Sequence, residues 1–166
     1  SRLESDLLIA HVTNMSRVQV LAHPEQPLNK APTLKLDQLS LALCDGTPLA
    51  YVLGEKEFFG LSLRVNSSVL VPRPETELLV ELALQRLNPS DRVLDVGTGS
   101  GAIAVALAAS PLQLLVDASD NSQSALAVAK ENAQLHKVAI NFHLSDWFNS
   151  LPVTRWHTIV SNPPYI

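Results

Sequence analysis

The chain has 166 residues, of which 46% are hydrophobic and 17% charged, with a formal net charge of −4 at pH 7. This length suits one domain or one domain plus an appendage, and the acidic balance argues weakly against a nucleic-acid surface, which needs clustered Lys and Arg. Cys44 is the single cysteine, which excludes an intrachain disulfide; with no apolar run near the roughly 20 residues of a membrane span and no signal-peptide pattern, a cytoplasmic location is expected.

Short helices are predicted for residues 1–48. Apolar positions recur at helical spacing near the start, and Ser16 with Gln19 fits a capping box for a second helix that ends near Leu21. The proline-rich stretch 23–32 predicts a loop, and Leu36 to Leu43 predict a third helix that ends at Asp45-Gly46. No metal site is predicted, since no His or Cys pair has a metal-binding spacing.

A β-hairpin linker is predicted for residues 49–73. Apolar residues alternate with small or polar ones from Phe59 to Val65, which is the period of a strand. A second strand, Ser68 to Val71, is expected to pair with it across an Asn66-Ser67 turn.

A helix is predicted to begin at Pro74, which suits the first helical position. Glu75 and Glu77 would then lie near the positive end of the helix dipole. The buried stripe of this helix is expected to consist of four leucines: Leu78, Leu79, Leu82 and Leu87.

Strands and helices alternate after Pro89, which predicts an α/β fold with a parallel, doubly wound sheet. The predicted strands are RVLDVG, LQLLVDASD, AINFHLSD and HTIVSN, and the predicted helices run from Ala102 to Ala109 and from Ser124 to His136.

A glycine-rich loop, DVGTGSG, joins the first of these strands to a helix. This context suits close approach of the backbone to a ligand, and Asp120 ends the next strand, where an acid binds ribose hydroxyls. Asp117 competes for that assignment, but it lies inside the strand and is expected at an edge or facing solvent. The alternative for Asp120 is that it only caps the following helix. The Walker lysine and the G-x-G-x-x-G spacing are both missing, so neither a phosphate nor a dinucleotide is favoured.

The last strand runs into NPPY, Asn162 to Tyr165. The Asn162 side-chain carbonyl and the Pro163 carbonyl can accept the two hydrogens of a planar NH2 group, Pro163 and Pro164 make the turn rigid, and the Tyr165 ring can stack on the plane. The alternative is a rigid turn that only ends the strand. Accepting both hydrogens raises the electron density of an amide nitrogen and orients its lone pair. No general base is assigned, because the alkylated amide is strongly acidic and water can take its proton.

The motifs VLVPRPETE, DVGTGSG, SDWF and NPPY, together with Asp120, resemble those of the HemK-type protein-(glutamine-N5) methyltransferases, and within them the branch that acts on peptide chain release factors. The resemblance implies S-adenosylmethionine as cofactor and a glutamine in the Gly-Gly-Gln loop of a release factor as substrate. It implies that Asp120 holds the ribose and that Asp146 and Trp147 flank the adenine; a core aromatic is the alternative for Trp147. The methionine part of the cofactor would contact Gly97, Thr98, Gly99, Ser100 and Gly101, and Asn162 would also contact the cofactor. The substrate would contact Asn162, Pro163, Pro164 and Tyr165, with Asn162 and Pro163 as the catalytic pair.

The resemblance also implies an architecture: a helical substrate-recognition domain (1–48), the hairpin linker (49–73) and the first half of a Rossmann-like class I methyltransferase sheet (74–166). The family domain usually continues beyond NPPY and begins with a further helix, so a part of a longer protein is expected. Two other functions stay open. One is methylation of an exocyclic amine of a nucleic acid, adenine N6 or guanine N2, which poses the same chemical problem. The other is a module that binds cofactor or partner without turnover.

Overall fold

The computed structural model describes residues 1–163, which form two compact units that divide after Gly54. The predictions for Pro164 and Tyr165 fall outside these residues. No helix in the described part of the chain is long and apolar enough to cross a membrane.

The first unit consists of four helices: α1 (Arg2–Thr13), α2 (Arg17–Ala22), α3 (Lys30–Cys44) and α4 (Leu49–Leu53). The capping box predicted at Ser16 is present, with Ser16 and Gln19 satisfying each other's backbone N–H groups. The predicted loop was too long, because α3 already begins at Lys30 and carries Pro32 in its first turn. Proline is tolerated there, since the first-turn N–H groups have no partner within the helix.

The second unit begins with a β-hairpin whose register differs from the prediction. Strand β1 (Glu55–Phe58) pairs antiparallel with β2 (Leu61–Arg64), and the two residues between them, Phe59 and Gly60, both have positive φ. This two-residue turn matches the twist of the flanking strands. The expected strand Ser68 to Val71 is wrong. The Asn66 turn does form, with the Asn66 Oδ1 accepting the Ser68 N–H, but it leads into irregular backbone.

The predicted helix at Pro74 starts as a 3-10 turn (Pro74–Thr76) and continues as α5 (Glu77–Leu84). Its predicted buried stripe was partly wrong, since Leu78 and Leu82 are exposed while Val80 and Ala83 are buried. The helix is apolar on most of its circumference, so its periodicity did not determine which leucines face the core.

A parallel four-stranded sheet follows, in the order β5-β4-β3-β6. Its strands are β3 (Arg92–Val96), β4 (Leu115–Asp120), β5 (Ile140–Leu144) and β6 (Thr158–Ser161), and its connecting helices are α6 (Ala102–Ala108) and α7 (Gln123–Leu135). The predicted α/β class with a parallel sheet is confirmed.

The core lies between this sheet and helices α5, α6 and α7. Val93, Val116 and Val160 form the sheet side of one buried cluster, to which α6 contributes nearly every side chain. The glycine loop follows directly on β3, which places it at the carboxyl ends of the parallel strands.

Candidate functional site

A cavity of about 640 Å³ lies at the carboxyl ends of the four parallel strands. This edge is where ligands bind in open α/β sheets. The cavity brings together seven of the residues selected from the sequence: Gly97, Gly99, Asp120, Asp146, Trp147, Asn162 and Pro163. Val69 and Leu70, from the segment after β2, complete one wall and were not predicted as site residues.

The three loop glycines all have positive φ, the left-handed region that favours glycine. A Cβ atom on Gly97 or Gly99 would meet no atom within 4 Å, so both positions leave open space at the cavity. Gly101 serves packing instead, because a Cβ there would lie 3.0 Å from the Cβ of Ala129 in α7.

The backbone donors of the loop are largely used inside the protein. The N–H groups of Gly97 and Thr98 donate to the Ser119 carbonyl at 2.8 and 2.9 Å, and the Gly101 N–H donates to the Thr98 carbonyl at 2.8 Å. A phosphate-cradling loop needs such N–H groups free for the anion. The loop therefore suits a ligand that is not a phosphate, in agreement with the sequence.

Thr98 and Ser100 do not line the main cavity, and both are buried. The Thr98 hydroxyl donates to the Asp95 carboxylate at 2.6 Å, and the Ser100 carbonyl accepts from Asn132 at 2.8 Å. The Thr98 side chain and the Ser100 carbonyl hold the loop from within, and both residues border a smaller cavity beside Asn162.

Asp120 connects the end of β4 to the glycine loop. Its Oδ2 accepts the Gly99 N–H and its Oδ1 accepts the Ser122 N–H, both at 2.9 Å. The capping alternative is not what the structure shows, because the N-cap of α7 is Ser122, whose hydroxyl accepts the Ala125 N–H. Each carboxylate oxygen of Asp120 keeps acceptor capacity for a hydroxyl in the cavity.

Asp117 does not border this cavity, and the expectation that it faces solvent was wrong. It is buried and accepts hydrogen bonds from the Trp156 indole at 2.8 Å and from His143 at 3.1 Å. Burial disfavours the charged carboxylate and acts to raise the pKa of Asp117. The two hydrogen bonds, a further one from Asn141 and the positive charge of Arg92 together have the larger effect, so the pKa of Asp117 is lowered. Asp117 thus anchors the segment between β5 and β6 rather than a ligand.

Asp95 is buried beneath the glycine loop. Burial raises the pKa of its carboxyl to about 6, against the opposing effect of the Thr98 hydroxyl and the Ala104 N–H. Its Oδ1 finds no hydrogen-bond partner of normal geometry among residues 1–163. A carboxyl that is costly to ionise therefore lies directly behind the candidate site.

Asn132 was missed by sequence reasoning. Its side chain, fully buried on α7, accepts the Arg64 N–H at 2.7 Å and donates to the Arg64 and Ser100 carbonyls at 3.0 and 2.8 Å. One amide thereby joins β2, the glycine loop and α7. No local pattern distinguishes it from an exposed helical asparagine.

Asp146 and Trp147 form another wall of the cavity that the glycine loop lines. The Ser145 N–H donates to the Asp120 carbonyl at 2.9 Å, and the Ser145 hydroxyl donates to the Trp147 carbonyl at 2.9 Å, which positions this wall against β4. The Trp147 side chain is 57% exposed, which rules out the core-aromatic alternative.

Asn162 is held from two sides at the end of β6. The hydroxyl of Ser161 donates to the Val96 carbonyl at 2.8 Å, and the Asn162 Nδ2 donates to the Thr76 hydroxyl at 2.8 Å. Pro163 follows on the cavity wall. The candidate amide-recognition residues therefore lie next to the glycine loop, as the topology predicted.

The chain is similar to known methyltransferases over its whole length. Residues 74–166 match the methyltransferase small domain family, and residues 1–54 match the PrmC N-terminal domain. The identity is 45% to the release factor glutamine methyltransferase of Coxiella burnetii, covering 99% of this chain and 61% of that protein. The enzyme of the same name from Bordetella pertussis is 46% identical, covering 99% of this chain and 62% of that protein. The one from Escherichia coli is 43% identical, covering 99% of this chain and 60% of that protein. The chain thus spans about 60% of the length of these curated relatives.

Two solved structures show the same fold. The Pyrococcus abyssi tRNA (uracil-54, C5)-methyltransferase, solved with S-adenosyl-L-homocysteine, has a TM-score of 0.55 at 18% identity over 66% of this chain and 28% of that chain. The T. thermophilus 16S rRNA N2 G1207 methyltransferase, solved with AdoMet and guanosine, has a TM-score of 0.56 at 24% identity over 68% of this chain and 32% of that chain. At these identities the likeness concerns the fold alone.

Proposed function

The chain belongs to the methyltransferase small domain family, and from that premise we propose that the protein transfers a methyl group from S-adenosylmethionine to the N5 nitrogen of a glutamine in a peptide chain release factor. The observation that carries the proposal is Asn162, whose amide lies on the wall of the strand-end cavity beside the glycine loop. The names and the 42–46% identity of the bacterial relatives support the choice of substrate.

The residues of the cavity fit S-adenosylmethionine. A volume of about 640 Å³ lies within the range of cofactor sites. Gly97 and Gly99 leave room for the methionine part, Asp120 has acceptor capacity for the ribose hydroxyls, and Trp147 offers a flat apolar face for the adenine. Asp120 and Asp146 also give the cavity two carboxylates, which favour a cation over a phosphate.

The bound cofactor supplies a methyl group made electrophilic by its sulfonium. The protein's own residues prepare the nucleophile. The Asn162 Oδ1 and the Pro163 carbonyl accept the two N–H hydrogens of the glutamine amide, which raises the electron density of its nitrogen and fixes its direction. The hydrogen bond to Thr76 holds the Asn162 dipole before the reaction, so this dipole needs little reorganisation during it. The alkylated amide is strongly acidic and releases its proton to water without a protein base.

The first unit provides a surface for the release factor. A groove of about 870 Å³ runs along α1, α2 and the segment before α3, with apolar residues that include Val12, Leu21 and Leu28. Such a groove, which contains none of the predicted site residues, supports a role in gripping a protein partner.

Mass spectrometry of a release factor incubated with the full-length protein and S-adenosylmethionine tests the proposal. We expect a mass increase of one methyl group on the glutamine of the Gly-Gly-Gln loop, and none when that glutamine is replaced by Ala. Duplex DNA and ribosomal RNA, incubated in parallel, are expected to stay unmodified. Methylation of nucleic acid without methylation of the release factor contradicts the proposal.

A further inference from the structure

We propose that Thr76 is a positioning residue for the methyl transfer proposed above: its hydroxyl accepts a hydrogen bond from the side-chain nitrogen of Asn162 and thereby directs the Asn162 carbonyl oxygen to the substrate amide. The two atoms, Asn162 Nδ2 and Thr76 Oγ1, lie 2.8 Å apart, although the residues are separated by 86 positions in the sequence.

The Asn162 side chain has two chemically opposite ends. Only the carbonyl end can accept the N–H groups of a substrate amide, whereas the NH2 end would repel them. Because both ends are similar in size, packing alone selects poorly between the two orientations. In the structure an acceptor on the NH2 side engages that end, which leaves the carbonyl oxygen free for the substrate.

Thr76 is placed to be that acceptor. It lies directly before α5 and has helical backbone angles, φ −70° and ψ −20°, because the 3-10 turn runs straight into the helix. Within the described part of the chain its hydroxyl makes no capping bond and points to Asn162 instead.

The position of the Thr76 hydroxyl is rigid. Thr76 ends the 3-10 turn that begins at Pro74, and its own N–H donates to the Arg73 carbonyl at 3.0 Å. The next residue, Glu77, accepts the Phe59 N–H of the hairpin turn at 3.0 Å. One hydrogen bond within the turn and one to the hairpin therefore fix the segment that orients Asn162.

Asn162 lines a second cavity besides the strand-end cavity. This cavity of about 180 Å³ is lined by Arg73, Glu75, Thr76 and Leu79 as well as Asn162. The segment PRPET, residues 72–76, therefore borders the candidate amide-binding residue Asn162 directly. Thr76 is the residue of this segment that hydrogen-bonds to Asn162.

The hydrogen bond itself is tested by NMR of the ¹⁵N-labelled full-length protein. The side-chain NH2 signals of Asn162 are identified by their loss in Asn162→Ala. We expect them to shift in Thr76→Val, which removes the hydroxyl at nearly constant shape, and to remain near their original position in Thr76→Ser. Unchanged signals in Thr76→Val overturn the proposal, whatever the protein methylates.

The consequence for catalysis is tested by a double-mutant cycle with the release factor as substrate. Thr76→Val is expected to lower kcat about 10-fold, the loss of one hydrogen bond of about 1.4 kcal/mol, with KM for the release factor nearly unchanged. Thr76→Ser retains activity within about threefold by the same reasoning. In the Asn162→Ala background, Thr76→Val has no further effect, because Thr76 acts only through Asn162.

Thr154→Val is the matched control. Its hydroxyl also accepts a side-chain N–H at 2.8 Å, from Arg92, but it lies away from the cavity. We expect its kcat to remain at the wild-type value. If Thr76→Val lowers kcat equally in the wild-type and the Asn162→Ala backgrounds, the positioning role of Thr76 is overturned. Absence of any methylation overturns the proposed function, while the NMR result still decides the hydrogen bond.

Discussion

The carboxylate of Asp120, at the end of β4, accepts the backbone N–H of Gly99 in the glycine loop at 2.9 Å. The residue proposed to hold the ribose therefore also sets the shape of the loop proposed to hold the methionine part. The two halves of the cofactor site are coupled through one side chain, so a change at Asp120 affects both.

Asp120→Ala should weaken binding of S-adenosylhomocysteine by about 10- to 100-fold, because hydrogen bonds to a charged group contribute about 1.5–3 kcal/mol. Titration calorimetry measures this loss. Glu131→Ala removes an exposed carboxylate of α7 and should leave the affinity unchanged. Wild-type affinity in Asp120→Ala would exclude the proposed ribose contact.

Gly101→Ala should destabilise the protein by about 3 kcal/mol. The new Cβ would lie 3.0 Å from the Ala129 Cβ on top of the strain at φ +80°. Gly60→Ala is the control, with a similar φ of +74° but no atom within 4 Å, and should cost only about 1 kcal/mol. Denaturant unfolding of both variants measures the difference, and equal losses would show that the contact with α7 contributes nothing.

Asn132→Leu should destabilise the protein by about 3 kcal/mol or more, because it leaves the Arg64 N–H and the Arg64 and Ser100 carbonyls without their partner. Gln134→Leu, an exposed change on the same helix, should have an effect within about 0.5 kcal/mol. Thermal unfolding compares the two. A small effect of Asn132→Leu would mean that water or a rearranged loop replaces these bonds.

Asp95 should make stability depend on pH in the acidic range. Burial raises its pKa in the folded protein to about 6, above the ordinary 3.8, so its protonated form favours folding. This contribution is complete below pH 3.8 and is lost as the pH rises through 6. The difference corresponds to about 3 kcal/mol.

Asp95→Asn removes that titration. Urea denaturation gives the free energy of unfolding of the variant minus that of the wild type. This difference should rise between about pH 4 and pH 6, because the wild type loses stability there, and then stay level. Subtracting the two proteins cancels the other titrating groups. A difference that is constant across this range would show that Asp95 ionises as freely in the folded state as in the unfolded state.

Asn162→Ala should lower kcat by about 100-fold or more while cofactor affinity changes little, since the proposed alignment of the amide acts mainly in the transition state. Asn149→Ala, on the exposed segment before β6, is the control and should keep wild-type turnover. Calorimetry with S-adenosylhomocysteine separates the two effects. A loss of turnover that merely follows a loss of cofactor affinity would contradict the alignment role.

Much of this architecture could be predicted from the sequence. The alternation of apolar strands and helices after Pro89 fixes a parallel sheet, because parallel strands need helical crossovers. Once the strands are parallel, their carboxyl ends share one edge, so Gly97, Asp120 and Asn162 must come together there. The family motifs identify the same residues independently.

The β-hairpin was placed wrongly because two turns compete in that segment. Asn66-Ser67 has the stronger local turn composition, yet the strands reverse at Phe59-Gly60. What decides is pairing, since only this reversal buries Phe58 and Leu63 together in the core. The buried face of α5 escaped prediction for a related reason, because a helix that is apolar nearly all round takes its orientation from its neighbours.

The sequence by itself determined the class of fold and the edge of the sheet at which the site lies, since both follow from local periodicity and chain direction. The tertiary structure alone decided the supports of that site. Asn132 bonds to Arg64 across 68 positions, and Asn162 bonds to Thr76 across 86. Hydrogen bonds between such distant residues leave no periodic pattern in the sequence, because they depend on the packing of complete elements. The same packing separated Asp117, enclosed beside Trp156, from Asp120, which opens on the cavity.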